Sequence, residues 1–243
     1  MRILVISDIH ANYTALEAVL NDAGEVDETW CLGDMVGYGP DPNAVVEQVR
    51  DLPHLTCILG NHDVAVIGKM PFEAFNGDAR RSLAWTEKVL TDDNMDFMRT
   101  LPQNAKVRGE VTMAHGSPRD PIWEYVLNML SARLNFDHFD TPYCFVGHSH
   151  TQAMFQWNEQ NDRVTLEVTK PGDVMPLTPR CILNPGSVGQ PRDRDPRAAY
   201  AIYDSKAHTW EARRVEYNIA EVQERIRQAS LPEKHAVRLS EGW

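Results

Sequence analysis

Five apolar runs in the first 150 residues stop abruptly in loops of Gly, Asp, Asn and His: RILVIS before Asp8, TWCL before Gly33, LTCIL before Gly60, VTMA before His115 and CFV before Gly147. Short runs bounded this sharply read as buried strands whose carboxyl ends carry polar loops. Between the first and second runs, Thr14 to Asp22 sets Ala15, Leu16, Ala18, Val19 and Leu20 at helical spacing; between the second and third, Asn43 to Arg50 does the same with Val45, Val46 and Val49. The alternation predicts an α/β chain on a largely parallel sheet with crossover helices. In such a sheet ligands gather outside the carboxyl ends of the strands.

The alternation breaks twice. Pro71 to Leu101 reads as a charged helical insertion over the edge of a site, and from Arg163 the pieces VTLEV, AAYAIYD and HTWEARRVEY have strand-like alternation without intervening helices. Those pieces suggest an antiparallel second sheet layer. Ile219 to Leu239 reads as an amphipathic helix interrupted near Pro232. A chain of 243 residues, 42% hydrophobic and without repeat or linker, is expected to form one domain.

A net charge of -11 excludes a diffuse attraction to nucleic-acid backbone or anionic lipid, so no extended nucleic-acid partner and no membrane partner are expected. A phosphate-bearing substrate would need a locally positive site, which bound divalent cations supply. The N-terminal MRILVISDIH is too short an apolar run for a signal core or a span, which leads to the expectation of a cytoplasmic protein. Cys31, Cys57, Cys144 and Cys181 lie far apart inside apolar runs, a pattern of buried strand residues rather than of disulfides or metal ligands.

The chemistry gathers where the runs end. Asp8 and His10 follow the first, Asp34 the second, Asn61, His62 and Asp63 the third, His115 the fourth, and His148 and His150 the fifth. Five of the nine histidines fall in these loops, whereas His54, His138, His208 and His235 sit in polar contexts that suit solvated side chains. Carboxylate and imidazole together suit Mn, Fe, Zn, Co or Ni.

In their order along residues 8 to 150, Asp8-Ile9-His10, Gly33-Asp34, Gly60-Asn61-His62-Asp63, His115 and Gly147-His148-Ser149-His150 resemble the five blocks of the calcineurin-like metallophosphoesterase family. The resemblance implies a four-layer αββα sandwich of two mixed sheets flanked by helices. It also implies two divalent metal ions per chain, with Asp8, His10, Asp34 and His150 on one and Asp34, Asn61, His115 and His148 on the other. The nucleophile would be a hydroxide bridging the metals, with His62 as general acid and Asp63 either orienting it or serving the loop. Protein serine/threonine phosphatases of this superfamily continue the second block with an Asp and an Arg where this chain has Gly37 and Tyr38. That departure points to the small bacterial and archaeal phosphodiesterase and phosphatase branch. Arg192, in a stiff Gly/Pro loop, and Arg119, just after His115, are rival phosphate contacts; Tyr38, Trp85 and Trp123 are candidates for an aromatic wall or for the core. The implied activity is hydrolysis of small phosphomonoesters or phosphodiesters. Its alternatives are cleavage of the anhydride of a dinucleoside polyphosphate, and a non-catalytic scaffold on the same fold.

Overall fold

Four of the five side chains of β1 (Arg2–Ile6) are buried, because this strand has neighbours on both edges and layers on both faces. The computed structural model describes residues 1–243. After β1 come α1 (Tyr13–Ala23), β2 (Glu28–Cys31), α2 (Pro42–Arg50), β3 (Thr56–Cys57) and α3 (Asn61–Val66). Strands β1, β2 and β3 are parallel and joined by crossover helices, as the alternation predicts.

The next strands open a second sheet instead of extending the first. After α4 (Gly77–Val89) and α5 (Asp92–Thr100) the chain forms β4 (Asn104–Val107) and β5 (Val111–Ala114). It continues through α6 (Met129–Asn135), β6 (Tyr143–Val146), β7 (Gln152–Asn158), β8 (Arg163–Glu167), β9 (Val174–Pro176) and β10 (Cys181–Pro185). It ends with β11 (Ala198–Asp204), β12 (Thr209–Val215), α7 (Ile219–Gln228) and α8 (Glu233–Glu241). One sheet has the order β3-β2-β1-β11-β12-β9 and the other β4-β5-β6-β10-β7-β8, both mixed. No layer change occurs at Arg163: β8 closes the second sheet, whereas β9, β11 and β12 return to the first. Alternation marks those strands as antiparallel but does not choose their sheet: β11 and β12 place Tyr203 and Trp210 in the core between the layers, whereas the buried residue of β8, Val164, packs under α6. Between the layers Trp30, Tyr203 and Trp210 of the first sheet meet Met113, Phe145 and Leu183 of the second.

Helices cover both outer faces, giving the four-layer sandwich. α1 and α2 bury Leu16, Val19, Val45 and Val49 on the first sheet, and α6 lies over Cys144, Phe155 and Val164 of the second. The 71–101 segment is helical but does more than edge a site, since Leu83, Leu90, Met95 and Met98 join the core of the first layer. In the C-terminal segment α7 and α8 are separated at Pro232 and pack through Val222, Ile226, Ala236 and Leu239, with Trp85 against them. Trp85 therefore serves this packing. His235, expected to be solvated, is buried on α8 against the ring of Tyr38 at 4.7 Å. All four cysteines are buried and free. No helix is long and apolar enough to cross a membrane.

Candidate metal centre

The loops that end β1, β2, β3, β5 and β6 converge at the carboxyl ends of both sheets. They bring Asp8, His10, Asp34, His115, His148 and His150 into three overlapping clusters with ligand atoms within 4.8 Å of one another, His62 among them. The first sheet delivers Asp8, His10, Asp34, Asn61 and His62, and the second delivers His115, His148 and His150. Direct bonds lock the two halves together. The His148 amide donates to Asp8 Oδ2 at 3.1 Å, and the amides of Val188 and Gly189 donate to the carbonyls of Ser7 and Asp8 at 3.0 Å.

Backbone conformation is part of the site. Asp8, His10, Asp34, His148 and His150 all have φ between 49° and 64°, the left-handed region that non-glycine residues rarely occupy and that clusters at functional sites. Gly60 is required where the β3 loop crosses Asp34, since a Cβ there would overlap the Asp34 carboxylate.

The tautomers can be deduced from the outer nitrogens. His10 Nδ1 faces the Val36 carbonyl at 3.1 Å and His150 Nδ1 faces the Gln190 carbonyl at 2.6 Å. A carbonyl only accepts, so each Nδ1 carries the hydrogen and each Nε2 presents a lone pair. Burial lowers both pKa values and favours the neutral rings. Those two Nε2 atoms lie 3.1 Å apart, and His150 Nε2 lies 3.3 Å from Asp8 Oδ1, a buried oxygen without a hydrogen-bond partner. Acceptors converging with no proton between them are a donor set for a cation.

The second cluster is built from the same kinds of ligand atom. His115 donates Nδ1–H to the Leu32 carbonyl at 2.9 Å, while its Nε2 stands 3.1 Å from Asn61 Oδ1, 3.2 Å from His148 Nδ1 and 3.3 Å from Asp34 Oδ2. Burial depresses the His115 pKa, but the Asp34 carboxylate outweighs it and lifts the value to about 9, so this cluster strongly attracts positive charge. Burial and the neighbouring His115 pull His148 down to about 3. Asp34 Oδ2 is also 3.6 Å from His10 Nε2, which makes Asp34 the carboxylate common to both clusters.

Around the clusters lies a cavity of about 170 Å³ whose walls include His62, Phe75, Trp123, Tyr125 and Arg192. Tyr38 lies between His10 and His62, at 4.6 Å and 4.4 Å, and the guanidinium of Arg192 sits over the same ring. Arg192 and Tyr38 are thus both in the cavity, as is Trp123. Arg119 is not: it is paired with Glu124, outside the cavity. Proximity to His115 in sequence gave the wrong direction, because the chain turns at Ser117 to Asp120 and points the guanidinium away. Asp63 does not reach the His62 ring either. Its two oxygens accept the amides of Val36 at 3.2 Å and Gly60 at 3.0 Å, so it braces two site loops. His62 Nδ1 is buried without a partner, and Gly37 lies directly against it, where a side chain would overlap the ring.

Sequence reasoning missed Phe75 and Tyr125. Phe75 packs edge-on to His62 at 5.0 Å, and Tyr125 stacks on His148 at 3.9 Å and 14°. The stack replaces a missing bond: His148 Nε2 has no partner, unlike the outer nitrogens of His10, His115 and His150. Glu124 fixes the loop that carries Tyr125, accepting from Ser117, Arg119 and Asn135.

A sequence model of the calcineurin-like phosphoesterase superfamily domain matches residues 1–208. An uncharacterised protein of Methanocaldococcus jannaschii is 39% identical over 239 residues, 95% of this chain and 94% of that protein. A symmetrical bis(5'-nucleosyl)-tetraphosphatase of Erwinia tasmaniensis is 28% identical over 138 residues, 55% of this chain and 50% of that protein, so the match spans half of that relative's length. The crystal structure of a metallophosphoesterase from Sphaerobacter thermophilus superposes with a TM-score of 0.92 at 48% identity, covering 100% of this chain and 99% of that one. The ordered ligand loops, the paired six-stranded sheets and these similarities agree: the chain belongs to the calcineurin-like phosphoesterase superfamily, whose members use divalent metals.

Proposed function

We propose that the protein is a binuclear metal-dependent hydrolase of small phosphoesters. The observation that carries the reading is the pair of buried clusters sharing Asp34, each assembled from imidazole nitrogens and carboxylate or amide oxygen. Asp8, His10, Asp34 and His150 would hold one cation, and Asp34, Asn61, His115 and His148 the other. Divalent cations held by these residues would supply a lowered pKa for the attacking water and positive charge facing the phosphoryl oxygens. Mn, Fe, Zn, Co or Ni all suit these ligands.

The chain's own residues supply orientation and a proton. Arg192 projects from a loop braced on Ser7 and Asp8 just after β1, with its amide on the His150 carbonyl at 3.2 Å and its guanidinium held by Gln190 at 3.0 Å. That mount suits a phosphoryl contact and takes the place of the arginine that Tyr38 replaces. His62, held by Tyr38 and Phe75, is the proton donor to the leaving oxygen. Burial keeps its pKa at about 4, so an arriving phosphoryl group, by its negative charge, is what favours the protonated ring.

The cavity volume bears on substrate size. At about 170 Å³ it is smaller than the roughly 300–1,000 Å³ of sites that enclose drug-sized ligands. It suits a phosphoryl group and the first atoms of its substituent, with the remainder outside the cavity. A second reading, hydrolysis of a dinucleoside polyphosphate, is favoured by the similarity to symmetrical tetraphosphatases. The scaffold reading is disfavoured, since a retired enzyme has no need to keep both clusters and His62.

Metal-reconstituted protein assayed against aryl monoesters, aryl diesters and dinucleoside polyphosphates tests the reading. Ester hydrolysis is expected, with KM for the monoester raised about tenfold or more by Arg192→Ala and unchanged by Arg119→Ala. Hydrolysis of the anhydride alone would transfer the function to the second reading, and hydrolysis of none would refute both.

Tyr125 gives a test that does not depend on turnover. If its stack orients His148, Tyr125→Ala should weaken Mn²⁺ binding about tenfold, as loss of an outer-shell partner does, while Tyr125→Phe keeps the stack and the affinity. Calorimetric titration of metal-free protein reads this directly. Equal affinities for all three proteins would show that the ring is held by something else.

A further inference from the structure

Strand β8 is the last strand of the second sheet, paired with β7 on one side and with nothing on the other. Four of its five residues are exposed, and it carries neither proline nor glycine. An uncovered edge presents unpaired N–H and C=O groups, and proteins that stay monomeric usually blunt such an edge with proline, a bulge, inward charge or a covering segment. Here the surroundings are apolar instead. Leu166 and Val168 are 40% and 73% exposed, and the adjoining α6 region exposes Leu127, Met129, Leu130 and Leu134 at 45–70%. Six of the eleven exposed large hydrophobic residues thus lie in this one region, a concentration that marks an interaction surface.

The sequence of β8 says what fits there. Laid antiparallel against a copy of itself about Thr165, Arg-Val-Thr-Leu-Glu sets Arg163 of each copy opposite Glu167 of the other and Val164 opposite Leu166. Both pairings are favourable cross-strand neighbours. Two copies each carrying a charge of -11 repel over most of their surfaces. This strand is neutral, with one arginine and one glutamate, and the charged side chain that α6 contributes, Arg133, is already paired with Asp137 and Asp162. A strand pair alone is smaller than the roughly 800 Å² per partner of a stable interface, and the α6 leucines supply further apolar area beside it.

We propose that β8 and α6 form a two-fold interface with a second copy of this chain, joining the two β4–β8 sheets edge to edge through antiparallel β8 strands centred on Thr165. The inference is independent of the catalytic reading, because no residue of the metal clusters belongs to the surface.

Sedimentation equilibrium of the full chain, with circular dichroism to verify folding, tests it by charge reversal. The wild type should be a dimer. Arg163→Glu and Glu167→Arg, singly, place like charges opposite each other twice per interface and should raise the dimer Kd roughly tenfold. The double variant Arg163→Glu/Glu167→Arg restores opposite charges and should return the Kd to within about threefold of wild type. Leu130→Glu/Leu134→Glu should give a folded monomer. A monomeric wild type would overturn the proposal, as would a dimer indifferent to these changes or single reversals that the double does not rescue. A monomer that binds phosphatidylcholine vesicles through the same leucines would overturn it in favour of a lipid surface.

Discussion

Asp34→Asn is expected to lower ester hydrolysis by roughly 10³-fold or more, and to do so further than Asp8→Asn. Asp34 Oδ2 lies 3.3 Å from His115 Nε2 and 3.6 Å from His10 Nε2, so its charge serves both clusters, whereas Asp8 is within reach of one. The substitution is mild for the fold. Asp34 Oδ1 accepts the His62 amide at 2.9 Å, and the carbonyl of an asparagine can accept it as well. Folded protein with both metals weakened is the expected state, read by metal content and rate together. Equal residual rates for the two variants would remove Asp34 from its shared position.

His62→Asn should discriminate between leaving groups. Nitrophenolate departs without a proton, whereas an alkoxide or ribose oxygen needs one, and general acid catalysis contributes roughly 10²–10⁴-fold where the proton matters. The variant is therefore expected to lose far more activity toward alkyl or nucleoside esters than toward nitrophenyl esters, in single-turnover experiments that isolate chemistry from product release. Metal content should not change, because the His62 ring is positioned by packing between Tyr38 and Phe75, its buried Nδ1 has no hydrogen-bond partner, and its backbone amide, which donates to Asp34 Oδ1, is retained in the variant. Loss of a metal, or the same slowing for both ester types, would make His62 a ligand or an electrostatic element and not the acid.

What the sequence reveals of this site follows from what strands do to the residues after them. Each buried run ends at the same rim, so hard ligands placed just past five runs can be read as one cluster before any coordinates exist. Direction within a loop is not legible in this way. Asp63 and Arg119 each lie next to a site residue, yet backbone amides claim the first and Glu124 the second. Tyr125 reaches His148 through space from a loop without periodic pattern, and only the fixed turn around Glu124 sends it there. His235 shows the limit for helices: amphipathic spacing gives α8 a buried face, but it cannot say that the face will close on Tyr38. The partition of strands between sheets fails for a related reason. β8 and β12 both alternate, and that spacing does not say that β8 pairs with β7, Leu166 beside Phe155, while β12 pairs with β11, Trp210 beside Tyr203.

Hydrolysis is proposed to need both clusters together, and the most direct test is to titrate metal-free protein with Mn²⁺ while following hydrolysis of bis(4-nitrophenyl) phosphate and bound metal in the same samples. No hydrolysis is expected without metal, and full rate only when two ions are bound per chain. Full rate with a single ion bound, or hydrolysis that persists in metal-free protein, would contradict the proposal.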